Sequence, residues 1–87
     1  TEFNLEQNYP NPFNPVTNIE YYVPENSRIE IGIYNVLGQK IMVLTDGLKT
    51  AGTHEIQFDG SELNSGLYYY QLKTAGYTIS KKMLLLK

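Results

Sequence analysis

Cysteine and tryptophan are both missing from these 87 residues, and His54 is the only histidine. Without cysteine there are no disulfides and no Cys-type zinc sites, so packing alone has to hold the fold. With one histidine, a histidine-cluster metal site or a Cys–His dyad within the chain is excluded. Lack of cysteine does not assign a compartment, because exported bacterial proteins often do without it and cytosolic ones keep it reduced. Charge is sparse and nearly balanced: 7 Lys and Arg against 9 Asp and Glu leave a formal net charge of -2. The basic stripe that nucleic acid requires is therefore absent. No apolar run approaches the roughly 20 residues that span a bilayer, and no signal peptide is visible. The chain opens on Thr1 rather than methionine, as expected of a piece of a larger precursor whose export signal lies upstream.

What the chain does hold is 8 tyrosines, 3 phenylalanines, frequent Ile and Val, and 7 glycines spaced as turn punctuation. That is the composition of an all-β domain. Residues 18–23 (NIEYYV) read as a first strand, closed by a turn over Pro24, Glu25, Asn26 and Ser27. Residues 28–34 alternate, with Ile29, Ile31 and Ile33 on one face and Arg28, Glu30 and Gly32 on the other, which predicts a sheet with one wet side. Asn35 and Gly38 suit a type I turn followed by a left-handed residue, leading into a strand over 39–44. A brief edge strand is expected near 48–50, and further strands over 53–58, 67–74 and 77–86. Such a series, with no room for crossover helices, predicts an immunoglobulin-like antiparallel β-sandwich of about seven strands; an open barrel is the alternative. The spacing from Leu63 to Tyr68 fits a tyrosine corner, with the Tyr68 hydroxyl bonded back to the preceding connection and Tyr70 and Leu72 following inward.

Chemistry is harder to find. His54 shares a strand face with Ile56 and Phe58 and reads as a half-buried structural residue rather than a base. Ser27, Ser61, Ser65 and Ser80 lie in no Gly-x-Ser-x-Gly or Ser-x-x-Lys context, so nothing local would activate them. Asp59, Ser61 and Glu62, with Asp46, could offer oxygens to calcium, but Asp59-Gly60 is also what a turn needs, and the spacing is not that of an EF-hand loop. The reading is no metal, no cofactor and no catalytic residue. Tyr21, Tyr22, Tyr69 and Tyr77 are the candidates for a sugar-stacking platform, a reading weakened by the absence of tryptophan.

Several stretches line up in order along the chain. Tyr9-Pro10-Asn11-Pro12-Phe13-Asn14-Pro15 is followed by Thr17, Ile19, Tyr21 and Val23-Pro24, then by residues 33–39 (IYNVLGQ) with Gly38, then by Ser65-Gly66-Leu67-Tyr68-Tyr69-Tyr70, and last by Lys81-Lys82-Met83-Leu84-Leu85-Leu86-Lys87. This run closely resembles the C-terminal sorting domain of the type IX (Por) secretion system, type A, over nearly the whole chain. It is similar, too, to the immunoglobulin-like domain of flagellar hook-capping proteins. The resemblance implies a non-catalytic domain at the C-terminus of an exported protein of the Bacteroidetes or a related phylum. Its implied partners are the outer-membrane translocon, a sortase-like peptidase that removes the domain, and an upstream passenger delivered to the cell surface or medium. By position, the segment the machinery needs would be Lys81, Lys82, Met83, Leu84, Leu85, Leu86 and Lys87, with Gly66 and Tyr68 as the second hallmark. Lys87 is then expected to be the natural C-terminus.

A last strand at a sheet edge would suit recognition by strand addition. The plainer reading is that Met83 and Leu85, or Leu84 and Leu86, close the core while the lysines guard the edge. The alternative to sorting is a structural or carbohydrate-binding accessory module of an extracellular hydrolase. Residues 1–17 are read as a linker and proline-rich lead-in, and 18–87 as the sandwich. In the lead-in, the prolines are expected to keep the backbone extended and unpaired while Tyr9 and Phe13 lay their rings over one end of the sandwich as a latch. A ligand for a proline-reading partner is the other possibility for this segment.

Overall fold

The computed structural model describes residues 2–87, which form seven strands: β1 (Asn4–Leu5), β2 (Val16–Val23), β3 (Ser27–Tyr34), β4 (Lys40–Lys49), β5 (Gly52–Asp59), β6 (Gly66–Thr74) and β7 (Tyr77–Leu85). They make a three-stranded sheet in the order β1-β2-β5 and a four-stranded sheet in the order β4-β3-β6-β7, with every neighbouring pair antiparallel. The architecture is an immunoglobulin-like sandwich and not an open barrel.

Period two decides what goes inside. Thr17, Ile19, Tyr21 and Val23 of β2, Ile29, Ile31 and Ile33 of β3, Tyr70 and Leu72 of β6, and Met83 and Leu85 of β7 are all buried. Each apolar side chain of that size stabilises the fold by about 1.5–3 kcal/mol on burial, so the core rests on these alternate positions. Gly32 belongs to the outer face yet is buried, because the Tyr34 ring lies over it; a Cβ at Gly32 would stand 3.3 Å from Tyr34 Cε1.

The β3–β4 hairpin forms as its sequence predicts. Asn35 Oδ1 accepts from the amides of Leu37 and Gln39, the Gly38 amide donates to the Asn35 carbonyl, and Gly38 sits at φ +82. Beyond shifts of a single residue, three features differ from expectation. The first long strand begins at Val16, two residues early, and the edge strand expected near 48–50 is the tail of β4. Two irregularities, between Ile31 and Gly32 and between Ile33 and Tyr34, each leave one residue of β4 unopposed, so that its ten residues pair with the eight of β3. The short β1 has no period-two signal at all, being two residues held by Tyr21 and Tyr22 of β2.

Candidate functional site

The proline-rich lead-in, the start of β6 and the end of β7 meet toward one end of the sandwich, whereas Val23-Pro24 lies at the far end of β2. Tyr34, which leads into the Asn35–Gln39 turn, stands opposite Tyr69, Tyr69 stands opposite Lys82, and Gly66 opposite Leu85. Gly38, Gly66, Tyr68 and the last strand therefore lie together, and the proline-rich lead-in joins them from the other sheet.

β7 is the last strand of its sheet, and β6 is its one strand neighbour. Met83 and Leu85 point into the core; Leu84 is half-buried on the outer face beside Leu67, and Leu86 is 51% exposed. Lys81 is half-buried, while Lys82 and Lys87 are exposed. Lys87 is nonetheless tied down. Its amide donates to Ser65 Oγ at 2.9 Å, and its ammonium donates to the carbonyls of Ser61 and Leu63, both at 2.6 Å. Next to that ammonium, two hydrogen bonds from Ser61, with a smaller contribution from the Lys87 charge, hold the Asp59 carboxyl below the usual aspartate range. This carboxylate is engaged with its own loop, and among the described residues no three of His, Asp and Glu come together as metal ligands.

The lead-in corrects the expectation of an unpaired segment. Tyr9 exchanges two backbone hydrogen bonds with Asn18 of β2, each 2.9 Å. Phe13 forms a parallel bridge with Leu85: its amide donates to the Leu84 carbonyl at 3.0 Å and its carbonyl accepts from the Leu86 amide at 2.9 Å. Asn11 Oδ1 accepts from the Leu84 amide at 3.0 Å, and Gln7 Nε2 donates to the Lys82 carbonyl at 2.7 Å. Prolines at 10, 12 and 15 limit how far pairing can spread, since they have no amide to donate, but the residues between them pair well. The expected pair of rings is also half right. The Phe13 ring is buried, edge-on to Phe58 at 5.9 Å, whereas the Tyr9 ring is 80% exposed because its position in the β2 bridge turns it to solvent. Pro10, Asn11 and Pro12 are exposed.

Behind the lead-in lies a polar knot that the sequence reading missed. Asn8, nearly fully buried, donates from Nδ2 to Thr17 Oγ1 at 3.0 Å and to the Pro10 carbonyl at 3.1 Å, and accepts from Gln7. Thr17 Oγ1 donates to the Pro10 carbonyl at 2.8 Å. The Tyr70 hydroxyl accepts from the Asn8 amide and donates to the Glu6 carbonyl, both at 2.7 Å. Burial pushes its pKa up to about 12, against a smaller lowering by the Asn8 amide. A signal for Thr17 was available, because it falls in the inward phase of β2 with Ile19 and Tyr21. Tyr68 behaves as its spacing predicts: its hydroxyl donates to the Asn64 carbonyl at 2.8 Å.

The sugar-platform tyrosines do not come together. Tyr21 is buried and stacks on the His54 ring at 5.3 Å, Tyr22 and Tyr69 belong to different sheets, and Tyr77 packs on Phe3. His54 is half-buried, its Nε2 donating to the Thr50 carbonyl at 2.7 Å, which is the structural part expected of it.

Fold and site together define a small β-sandwich that holds a C-terminal strand at a sheet edge, under a lead-in that crosses from the opposite sheet. Residues 7–86 match the family described as the secretion system C-terminal sorting domain, and the chain belongs to that family. None of the curated proteins matches it. Membership brings the chain into type IX secretion and marks a protein exported to the cell surface or medium. Among the described residues, no helix is long and apolar enough to cross a membrane.

Proposed function

We propose that this domain is the signal by which the type IX machinery exports an upstream passenger, and that the segment Lys81, Lys82, Met83, Leu84, Leu85, Leu86 and Lys87 carries it: Lys81, Lys82, Leu84, Leu86 and Lys87, with Gly66 and Tyr68 beside them, form the surface an outer-membrane translocon reads, while Met83 and Leu85 hold that segment from the core. A sortase-like peptidase then separates domain from passenger. The observation that supports this best is the position of β7: it ends the sheet as an edge strand, and exposed Lys82, half-buried Leu84 and, just past the strand, exposed Leu86 share its outer face. Met83 and Leu85 contribute differently, since they are core residues whose loss would unfold the domain.

That division sets the experiment. Removing Lys81–Lys87 would delete core and signal together, so the informative change is Lys82→Glu with Leu86→Asp, at two exposed side chains. In the full precursor, the passenger is expected to accumulate in the periplasm while the domain keeps its fold by circular dichroism. Unchanged delivery to the surface would overturn the assignment of the terminal segment.

A further inference from the structure

The edge that a receptor strand would use is already occupied. On the side of β7 that faces away from β6, Leu84 and Leu86 present their backbone groups to Asn11 and Phe13. Phe13 pairs as a strand residue would, Asn11 supplies a side-chain oxygen where a strand would supply a carbonyl, and the Phe13 ring fills a slot against Phe58. Gly60 lines the slot closely: a Cβ there would stand 3.3 Å from Leu85 Cδ2, a tight approach, and 3.5 Å from Phe13 Cε2.

The hold is short as well as specific. Pro10, Asn11, Pro12 and Asn14 are exposed, so Phe13 is the one residue of 10–14 that anchors by burial. Pro15, the next position in the phase that faces β7, has no amide, which stops the segment from extending its ladder along β7. A true strand laid on the same edge would make the same bonds and continue toward Lys82 and Ser80.

We infer that Asn11–Phe13 is an intramolecular stand-in for a partner strand: the receptor adds an extended peptide to the outer edge of β7, places an aromatic or large apolar side chain in the Phe13 slot, and displaces the lead-in as it binds. This rests on the sorting reading of the terminal segment. The lead-in then works as an autoinhibitory strap. It shields the edge from unwanted pairing, and it lowers the apparent affinity for the receptor by the fraction of molecules in which the edge is bare.

The test uses Phe13→Ala, and Asn11→Ala as the variant that leaves the core untouched. In the 87-residue chain, amide hydrogen exchange at Leu84 is expected to quicken at least tenfold in Phe13→Ala and several-fold in Asn11→Ala, and at Leu86 in Phe13→Ala. Met83 and Leu85, whose amides face β6, should change little. In the full precursor, pulse-chase export of the passenger is expected to be at least twofold faster with either substitution. Unchanged exchange at Leu84 would show that the lead-in does not hold the edge, and export that is unchanged or slower in a folded variant would show that it is not displaced; either result overturns the inference. If Phe13→Ala is degraded, Asn11→Ala decides. Failure of the sorting reading itself is seen separately, as normal export of the Lys82→Glu, Leu86→Asp precursor.

Discussion

The Tyr70 hydroxyl lies 2.7 Å from the Asn8 amide and joins the middle of β6 to the start of the lead-in, 62 residues earlier in the chain. With its second bond to the Glu6 carbonyl, it satisfies two backbone groups that have no strand partner at that point. Tyr70→Phe keeps the ring in the core and removes both bonds. Leaving buried polar groups unpaired costs about 1–3 kcal/mol, so the urea midpoint should fall with little change in slope. An unchanged midpoint would mean that water replaces the hydroxyl at no loss.

The same hydroxyl gives the domain an alkaline limit. Its pKa is pushed up to about 12 in the fold by burial, against an ordinary tyrosine value of about 10. The folded state therefore holds its proton where the unfolded chain has lost it. The stabilisation is fully present below about pH 10 and is lost as pH rises toward 12, at up to about 1.4 kcal/mol per pH unit. Tyr21, raised by burial as well, adds to the same fall. Denaturant midpoints measured from pH 8 to 12 should drop steeply above pH 10 and drop less in Tyr70→Phe.

Thr17→Val tests the polar knot with almost no change of shape. Valine would suit a core position, but it leaves Asn8 Nδ2 and the Pro10 carbonyl each short of the Thr17 hydroxyl. A loss of about 1–3 kcal/mol is expected, together with faster exchange of the Tyr9 amide, whose partner Asn18 adjoins Thr17. A more stable Thr17→Val protein would show the knot to be dispensable.

Tyr68→Phe should be milder than Tyr70→Phe. Its hydrogen bond to Asn64 is at the surface, where water competes. The expected cost is about 0.5–1.5 kcal/mol, read as a smaller midpoint shift in the same urea titration. A larger loss than that of Tyr70→Phe would overturn this ranking.

Much of the fold was legible because its signals are local. Ile29, Ile31 and Ile33 announce their strand by alternation, and Asn35 with Gly38 announces the turn that follows, since a short side chain and a left-handed backbone are needed there whatever surrounds them. Tyr68 was legible for the same reason, with its partner only four residues away. Tyr9 was misjudged because ring exposure depends on the direction of a bridge to Asn18 that no local pattern encodes. Asn8, a buried asparagine in a polar stretch, carried no periodicity by which to be found, and Thr17 fell just outside the strand expected over 18–23, although it shares the phase of Ile19 and Tyr21.

The terminal segment shows most clearly where each kind of information ends. The amino-acid order alone determined that Met83 and Leu85 share one phase and Leu84 and Leu86 the other, because successive side chains of a strand must point to opposite faces. Only the tertiary structure decided which phase enters the core, that β7 lies at a sheet edge, and that Phe13 closes that edge from 72 residues away in the chain. Those outcomes depend on how two sheets pack and which backbone groups are left without partners, and such contacts between distant residues exist only once the chain has folded.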